Sequence, residues 1–285
     1  MSMKKRLLFI DILKIIGIGC VLFWHLFFNT YNLVWFLPLY GMLHLGGLGV
    51  ILFLIASGAA LTYNQYNFND VKNILIFYYK RLVRVYPAMW LTTLFTFLLL
   101  PSSFQNIDYI KLLEELTGFY YYFNKTTPII NSSIWFIGLI IILYILYPLL
   151  YNIIRKYRYY GFIVIFIISM ATRIYLYNNP GFFGYTNLFY FGVIPNLWAF
   201  CLGMFIMSIN LYPKFESKNI IIKELSNLSF YIYLLQFAII PIYTLSKPLF
   251  LIEILFFSYM FMLTDNKINE YLLSLRLPFS PSLKE

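Results

Sequence analysis

Charge is scarce in this sequence. Lysine, arginine, aspartate and glutamate together make up 11% of 285 residues, where a soluble domain carries about 25%. A soluble fold of this size must cover itself with polar surface, and too little is present to do so. Cysteine is nearly absent. Cys20 and Cys201 both lie in apolar runs and read as small core thiols, which excludes a disulfide framework. No metal-ligand spacing, glycine-rich nucleotide loop or Ser-His-Asp arrangement is present. Long polar connections are missing too, so no soluble domain fits between the apolar blocks, and residues 1–285 read as a single domain.

What is present is apolar and blocked. Hydrophobic residues make up 61% of the chain and aromatic residues 22%. They fall in blocks of roughly 17 to 25 residues, the length a helix needs to cross about 30 Å of hydrocarbon, with aromatic residues near the block ends as in an interfacial belt. The blocks are Leu7 to Phe28, Leu45 to Tyr63, Val85 to Leu100, Ile134 to Ile154, Gly161 to Leu176, Asn187 to Ile209, Leu225 to Leu245 and Leu249 to Leu263. The third extends backwards into Ile74 to Phe77. Strands exposed to lipid would leave backbone groups unsatisfied, so the blocks are helices. The expected fold is an all-α, polytopic transmembrane bundle of about eight spans, within a range of eight to ten. The first block resembles a signal peptide, but its apolar core is too long and no small-residue cleavage site follows Asn29, so it reads as a retained helix. Gly46, Gly47, Gly49 and Gly58 predict close helix packing, and Ile110 to Leu116 predicts a short surface helix in the longest external connection.

Orientation follows from basic residues. Lys4, Lys5 and Arg6 precede the first span. Lys72, Lys80, Arg81 and Arg84 follow the second, Arg155, Lys156 and Arg158 the fourth, and Lys214, Lys218 and Lys223 the sixth. Lys267, Arg276 and Lys284 follow the eighth. Sixteen of the 21 Lys and Arg residues thus fall on one side, which predicts cytoplasmic termini. The net charge of +10 reflects this asymmetry and anionic inner-leaflet lipid; it does not indicate nucleic acid.

Ionisable groups inside a span cost about 2.5–3.5 kcal/mol each on insertion scales and so mark candidate sites. The first span holds Asp11, Lys14 and His25. Eleven steps of about 100° bring Lys14 and His25 to within about 20° of each other around the helix, with His25 about 16 Å further along. Asp11 stands three residues before Lys14, the spacing that lets the two pair. An interfacial Asp–Lys pair with a snorkelling lysine is the plainer alternative. A second group is Lys80, Arg81, Arg84 and Tyr86, with Pro87 expected to break or bend the chain behind them. Fixed cations at the inner surface suit a multiply charged phosphate ligand, although ordinary positive-inside charge accounts for them equally well. Arg173, near an outer end, reads as a snorkelling side chain, and His44 as an interfacial histidine within reach of an acceptor.

These residues resemble the membrane-bound acyltransferase-3 family, whose members O-acylate cell-surface glycans and other extracytoplasmic acceptors. The family signature of a basic residue, ten residues and a histidine is matched by Lys14 and His25, with Asp11 in the place of the usual aspartate. The stretch from Gly49 to Gly58 is similar to the family's Gly-Val, Phe and Ser-Gly pattern, and Arg81, Arg84 and Pro87 to its Arg-x-x-Arg element followed by proline. Trp135, Tyr144 and Pro148 sit at family spacings. The chain departs from the pattern at Ile140 and Ile141, where many relatives carry glutamate, and at Gln236, where relatives often carry histidine.

The resemblance implies transfer of an acyl group, acetyl above all, from cytoplasmic acyl-CoA to a hydroxyl of an extracytoplasmic carbohydrate. His25 would be the general base. Arg81 and Arg84, with Lys80 and Tyr86, would hold CoA, while Lys14 and Asp11 would tie the first helix to its neighbours or line the CoA path. Acyl-CoA is the co-substrate and no metal is expected; membrane lipid, acyl-CoA and the carbohydrate are the partners, and the oligomeric state is left open. The mechanism requires a continuous passage from the inner basic rim to the imidazole. The competing expectation is a polysaccharide exporter or lipid-linked sugar flippase without acyl transfer.

Overall fold

The computed structural model describes residues 5–28, 45–68, 70–99, 108–185, 187–239 and 247–275; His44 lies outside them. Among the described residues the chain is all-α apart from an isolated antiparallel bridge between Leu7 and Glu216. The helices are α1 (Leu8–Phe23), continued by a π-helical turn (Trp24–Phe28), α2 (Leu45–Tyr63), α3 (Val71–Leu99), α4 (Tyr109–Leu116), α5 (Tyr120–Asn124), α6 (Ile134–Asn178), α7 (Leu188–Phe191), α8 (Val193–Ser208), α9 (Ile220–Ile239) and α10 (Lys247–Ser274). Among the described residues, six segments are long and apolar enough to cross a membrane: Leu8–Leu26, Leu45–Tyr63, Val71–Leu99, Ile134–Asn178, Leu188–Ser208 and Leu249–Ser274. The protein is a polytopic membrane bundle.

Several boundaries differ from the hydropathy blocks. The third block is the far part of α3, which begins at Val71 and runs through Pro87 without ending there. The ring removes one backbone donor, yet buried packing on both sides holds the helix together. The fourth and fifth blocks are the two helical halves of α6, which meet at Arg158 in the gap between the blocks; its φ 44° and ψ −111° are non-helical. The sixth block divides at Gly192 into α7 and α8. The eighth extends past Leu263 to Ser274.

Glycines set the centre of the bundle. A Cβ on Gly203 would stand 2.0 Å from the Ile55 carbonyl oxygen, and one on Gly58 would stand 2.0 Å from that of Phe200. The backbones of α2 and α8 therefore touch directly, as small residues at membrane-helix interfaces allow. A Cβ on Gly49 would likewise meet the Gly17 carbonyl at 2.5 Å, so α1 is seated on the other side of α2.

Basic segments gather at one end of the bundle. Lys5 pairs with Glu216 at 3.4 Å, the Leu8 amide donates to the Phe215 carbonyl, and Arg155 and Arg158 share a cleft with Gln65 and Asn210. The opposite end carries α4, α5 and α7. There the Tyr122 hydroxyl donates to the Phe191 carbonyl at 3.2 Å and Tyr185 to the Tyr122 carbonyl at 2.9 Å.

Candidate functional site: two cavities back to back

The π turn of α1 carries His25. Such a turn inserts an extra residue and re-aims the side chains that follow it. The His25 ring meets Phe237 of α9 edge-on, with centroids 4.8 Å apart. His25 lines a cavity of about 240 Å³ together with Trp24, Trp135, Tyr190, Tyr233 and Gln236. Gln236 is fully buried, and neither its amide nitrogen nor its amide oxygen has a hydrogen-bond partner.

Arg173 belongs to the same cavity, which corrects its expected snorkelling position. It is 6% exposed, donates to the Phe189 carbonyl at 3.3 Å and to Asn196 Oδ1 at 3.4 Å, and lies over the rings of Phe189 and Tyr190. On the inward face of the second half of α6, Arg173 follows Ile165 and Ser169 and precedes Leu176, all buried.

The segment after α5 is moored from two directions. Glu115, 1% exposed, accepts the backbone N–H groups of Ile129, Ile130 and Asn131. Burial pushes its carboxyl above the usual carboxylate range, against the opposing pull of those three donors. On the other side Asn131 Nδ2 donates to the Leu234 carbonyl at 2.9 Å and Ser133 Oγ to that of Tyr233 at 2.8 Å. This fixes Ser132 and Trp135 against the α9 wall of the cavity.

A second cavity, about 110 Å³, lies nearer the basic end and is lined by Lys14, Ser57, Arg84, Ile140, Tyr144 and Phe230, among others. Arg84 is 13 residues into α3, about 20 Å along the helix from its start, and its side chain is exposed at the cavity. It also faces Tyr231 and Asp265. Asp265 is fully buried and accepts from the Tyr231 hydroxyl and from Asn269 Nδ2. The sequence reading passed over Asp265 because the eighth block was closed at Leu263.

The other expected site residues are dispersed. Arg81 donates to Tyr66 Oη at 3.1 Å and lies over the Tyr66 and Phe77 rings. Lys80 is exposed. Tyr86 does not join the cations: its hydroxyl donates to the Thr117 carbonyl at 2.8 Å, beneath α4. Asp11 does not pair with Lys14. Its carboxylate takes the Arg6 guanidinium at 2.7 Å and the Ser226 hydroxyl at 2.7 Å, while Arg6 also donates to Asn227 Oδ1 and the Lys223 carbonyl. Arg6 wins because it presents several donors to one carboxylate and continues into α9, whereas lysine offers a single point charge.

Among the described residues, aromatic rings stand between the two cavities, where the sequence led to the expectation of a continuous passage. Phe53 and Phe136 line the inner cavity and Tyr233 the outer one. Their ring centroids are 6.4 Å (Phe53–Phe136), 6.0 Å (Phe53–Tyr233) and 5.2 Å (Phe136–Tyr233) apart. On α2 the lining passes from Val50 outside to Phe53 inside, so the layer is about one helical turn thick. The outer chamber offers an imidazole among aromatic and hydrogen-bonding groups. The inner slot offers two cations, Lys14 and Arg84, in about 110 Å³.

No curated protein sequence and no solved structure matches the chain. The acyltransferase-3 family, described as an acyltransferase domain, matches residues 7–206. That range contains Lys14, His25, Arg84 and the α1, α2, α3, α6 and α8 walls of both cavities, while Tyr233, Gln236 and Asp265 lie beyond it. A match over more than half of the sequence, carrying the first-helix lysine and histidine, places this chain in the acyltransferase-3 family.

Proposed function

We propose that the protein transfers an acyl group, acetyl in the first instance, from cytoplasmic acyl-CoA to a hydroxyl of an extracytoplasmic carbohydrate. The observation that carries this reading is the back-to-back arrangement, with His25 in one cavity and Lys14 and Arg84 in the other. Arg84 and Lys14 draw in the polar pantetheine arm, and Arg81 and Lys80 hold phosphate nearer the basic end. The thioester reaches the outer chamber when the Phe53, Phe136 and Tyr233 rings part. His25 then takes the acceptor hydroxyl proton. The oxygen bonds to the thioester carbon, the carbon–sulfur bond breaks, and the imidazolium returns its proton to the departing thiolate of CoA. Asp11 acts at a distance by fastening α1 to α9.

Orientation belongs to the same proposal. Counting α6 as two spans about Arg158 and adding α9 gives eight crossings, with the basic end and both termini in the cytoplasm. The test of the chemistry is His25→Ala in the purified full-length protein with labelled acetyl-CoA. Acyl transfer falls by a factor of 10² or more if His25 is the base, and transfer at the wild-type rate overturns the assignment. Calorimetry with CoA separates the exporter reading: loss of CoA binding in Arg84→Ala supports the transferase, and glycan flux without any CoA requirement supports an exporter.

A further inference from the structure

Among the described residues, Gln236 is the one side chain lining the outer cavity whose polar atoms are fully buried and have no hydrogen-bond partner. Both ends of its amide are buried and unmet, and such a group costs free energy unless a partner arrives. It stands next to Phe237, whose ring packs on His25, and it faces the cavity. Its α9 backbone is fixed there by Asn131 and Ser133. Whatever occupies the cavity therefore meets an amide that asks for one donor and one acceptor side by side, beside the imidazole.

Few groups answer that demand. A carboxylate or phosphate oxygen only accepts and would satisfy the nitrogen alone. The amides of a pantetheine arm are trans, so their N–H and C=O point in opposite directions and reach only one end of Gln236 at a time. Two hydroxyls on adjacent carbons fit: one accepts from Nε2 while its neighbour donates to Oε1. Trp24, Trp135 and Tyr190 supply apolar faces for the C–H surface of a ring carrying such hydroxyls. We propose that Gln236 binds the acceptor, gripping a vicinal diol of a sugar so that one of the paired hydroxyls is presented to His25. This rests on the acyl-transfer reading and specifies its acceptor chemistry.

The test uses full-length protein in nanodiscs and saturation-transfer NMR with methyl α-mannopyranoside, which carries adjacent hydroxyls, and its monodeoxy analogues. Loss of two neutral hydrogen bonds weakens binding roughly 10- to 100-fold. Gln236→Leu is expected to show that loss for the parent glycoside and no further loss for the deoxy analogue that lacks the gripped hydroxyl. Gln236→Glu, which keeps an acceptor but no donor, falls between. Acetyl-CoA binding stays at the wild-type level in both variants, which also shows that they are folded. The proposal is overturned if the parent glycoside fails to bind wild type, if Gln236→Leu binds it as tightly, or if the deoxy and Leu losses add. If the glycoside results hold while His25→Ala still transfers acetyl at full rate, the acceptor site stands and the transferase mechanism fails.

Discussion

Replacing Phe53 with alanine removes one of three rings that keep two chambers apart. Phe53 is 8% exposed and contacts Phe136 and Tyr233. The two aromatic pairs contribute about 1–3 kcal/mol together, and truncating a buried phenylalanine costs about 3–5 kcal/mol with the cavity included. The lower end applies here, because helices that separate within a bilayer regain dispersion contacts from lipid tails. About 3 kcal/mol is therefore expected as a lowered thermal midpoint in nanodiscs. The functional effect is larger. With the ring gone, the cavities of about 110 and 240 Å³ join, and water on the His25 side gains access to a thioester on the Lys14 side. Acetyl-CoA hydrolysis without acceptor should rise several-fold over wild type, read as free thiol released with time. Phe53→Leu, which refills most of the space, should hydrolyse close to wild type. If Phe53→Ala is folded, binds acetyl-CoA and shows no excess hydrolysis, the ring layer is not the barrier and the two-chamber mechanism fails.

Two further outcomes follow from the same geometry. The Glu115 carboxyl is raised in the folded protein by burial. Its proton is thus held more tightly folded than unfolded, so its stabilising contribution is complete below the ordinary carboxylate value near 4.3 and is lost as pH rises through the folded value. Thermal unfolding across that window should show this slope in wild type and not in Glu115→Gln; an identical slope in the variant refutes the assignment. For orientation, single cysteines at Lys111 and Lys125 should react with an impermeant maleimide in intact cells, and a cysteine at Arg155 only after lysis. The reverse pattern inverts the proposed topology.

The bundle was legible in sequence because hydrocarbon imposes a length on every apolar block, and α2 coincides with its block from Leu45 to Tyr63. The α3 helix was cut short because its first half mixes Lys72, Lys80 and Arg81 with apolar residues and loses the hydropathy signal. The break at Arg158 falls where Arg155, Lys156 and Arg158 interrupt the apolar run, which is why the fourth and fifth blocks separate there. For the site, a periodicity of 100° put Lys14 and His25 on one face, and the structure sets each in a cavity. The same arithmetic set Asp11 beside Lys14 but could not weigh Arg6, which lies before the helix and reaches Asp11 through the turn of the chain. Gln236 was visible as a departure from the family pattern; its unmet amide is a property of packing and has no sequence signature.

The glycine contact between α2 and α8 constrains how the protein can open. With main chain resting on main chain at Gly58 and Gly203, and α1 keyed into Gly49 on the far side, these three helices have no side-chain cushion to compress and must travel as one slab. Phe53 is mounted on that slab, whereas Tyr233 and Phe136 ride on α9 and α6. Parting the rings is then a matter of swinging side chains or shifting α9 and α6 against a stationary wall, and a bulkier residue at Gly203 would misplace the wall itself before it touched either chamber.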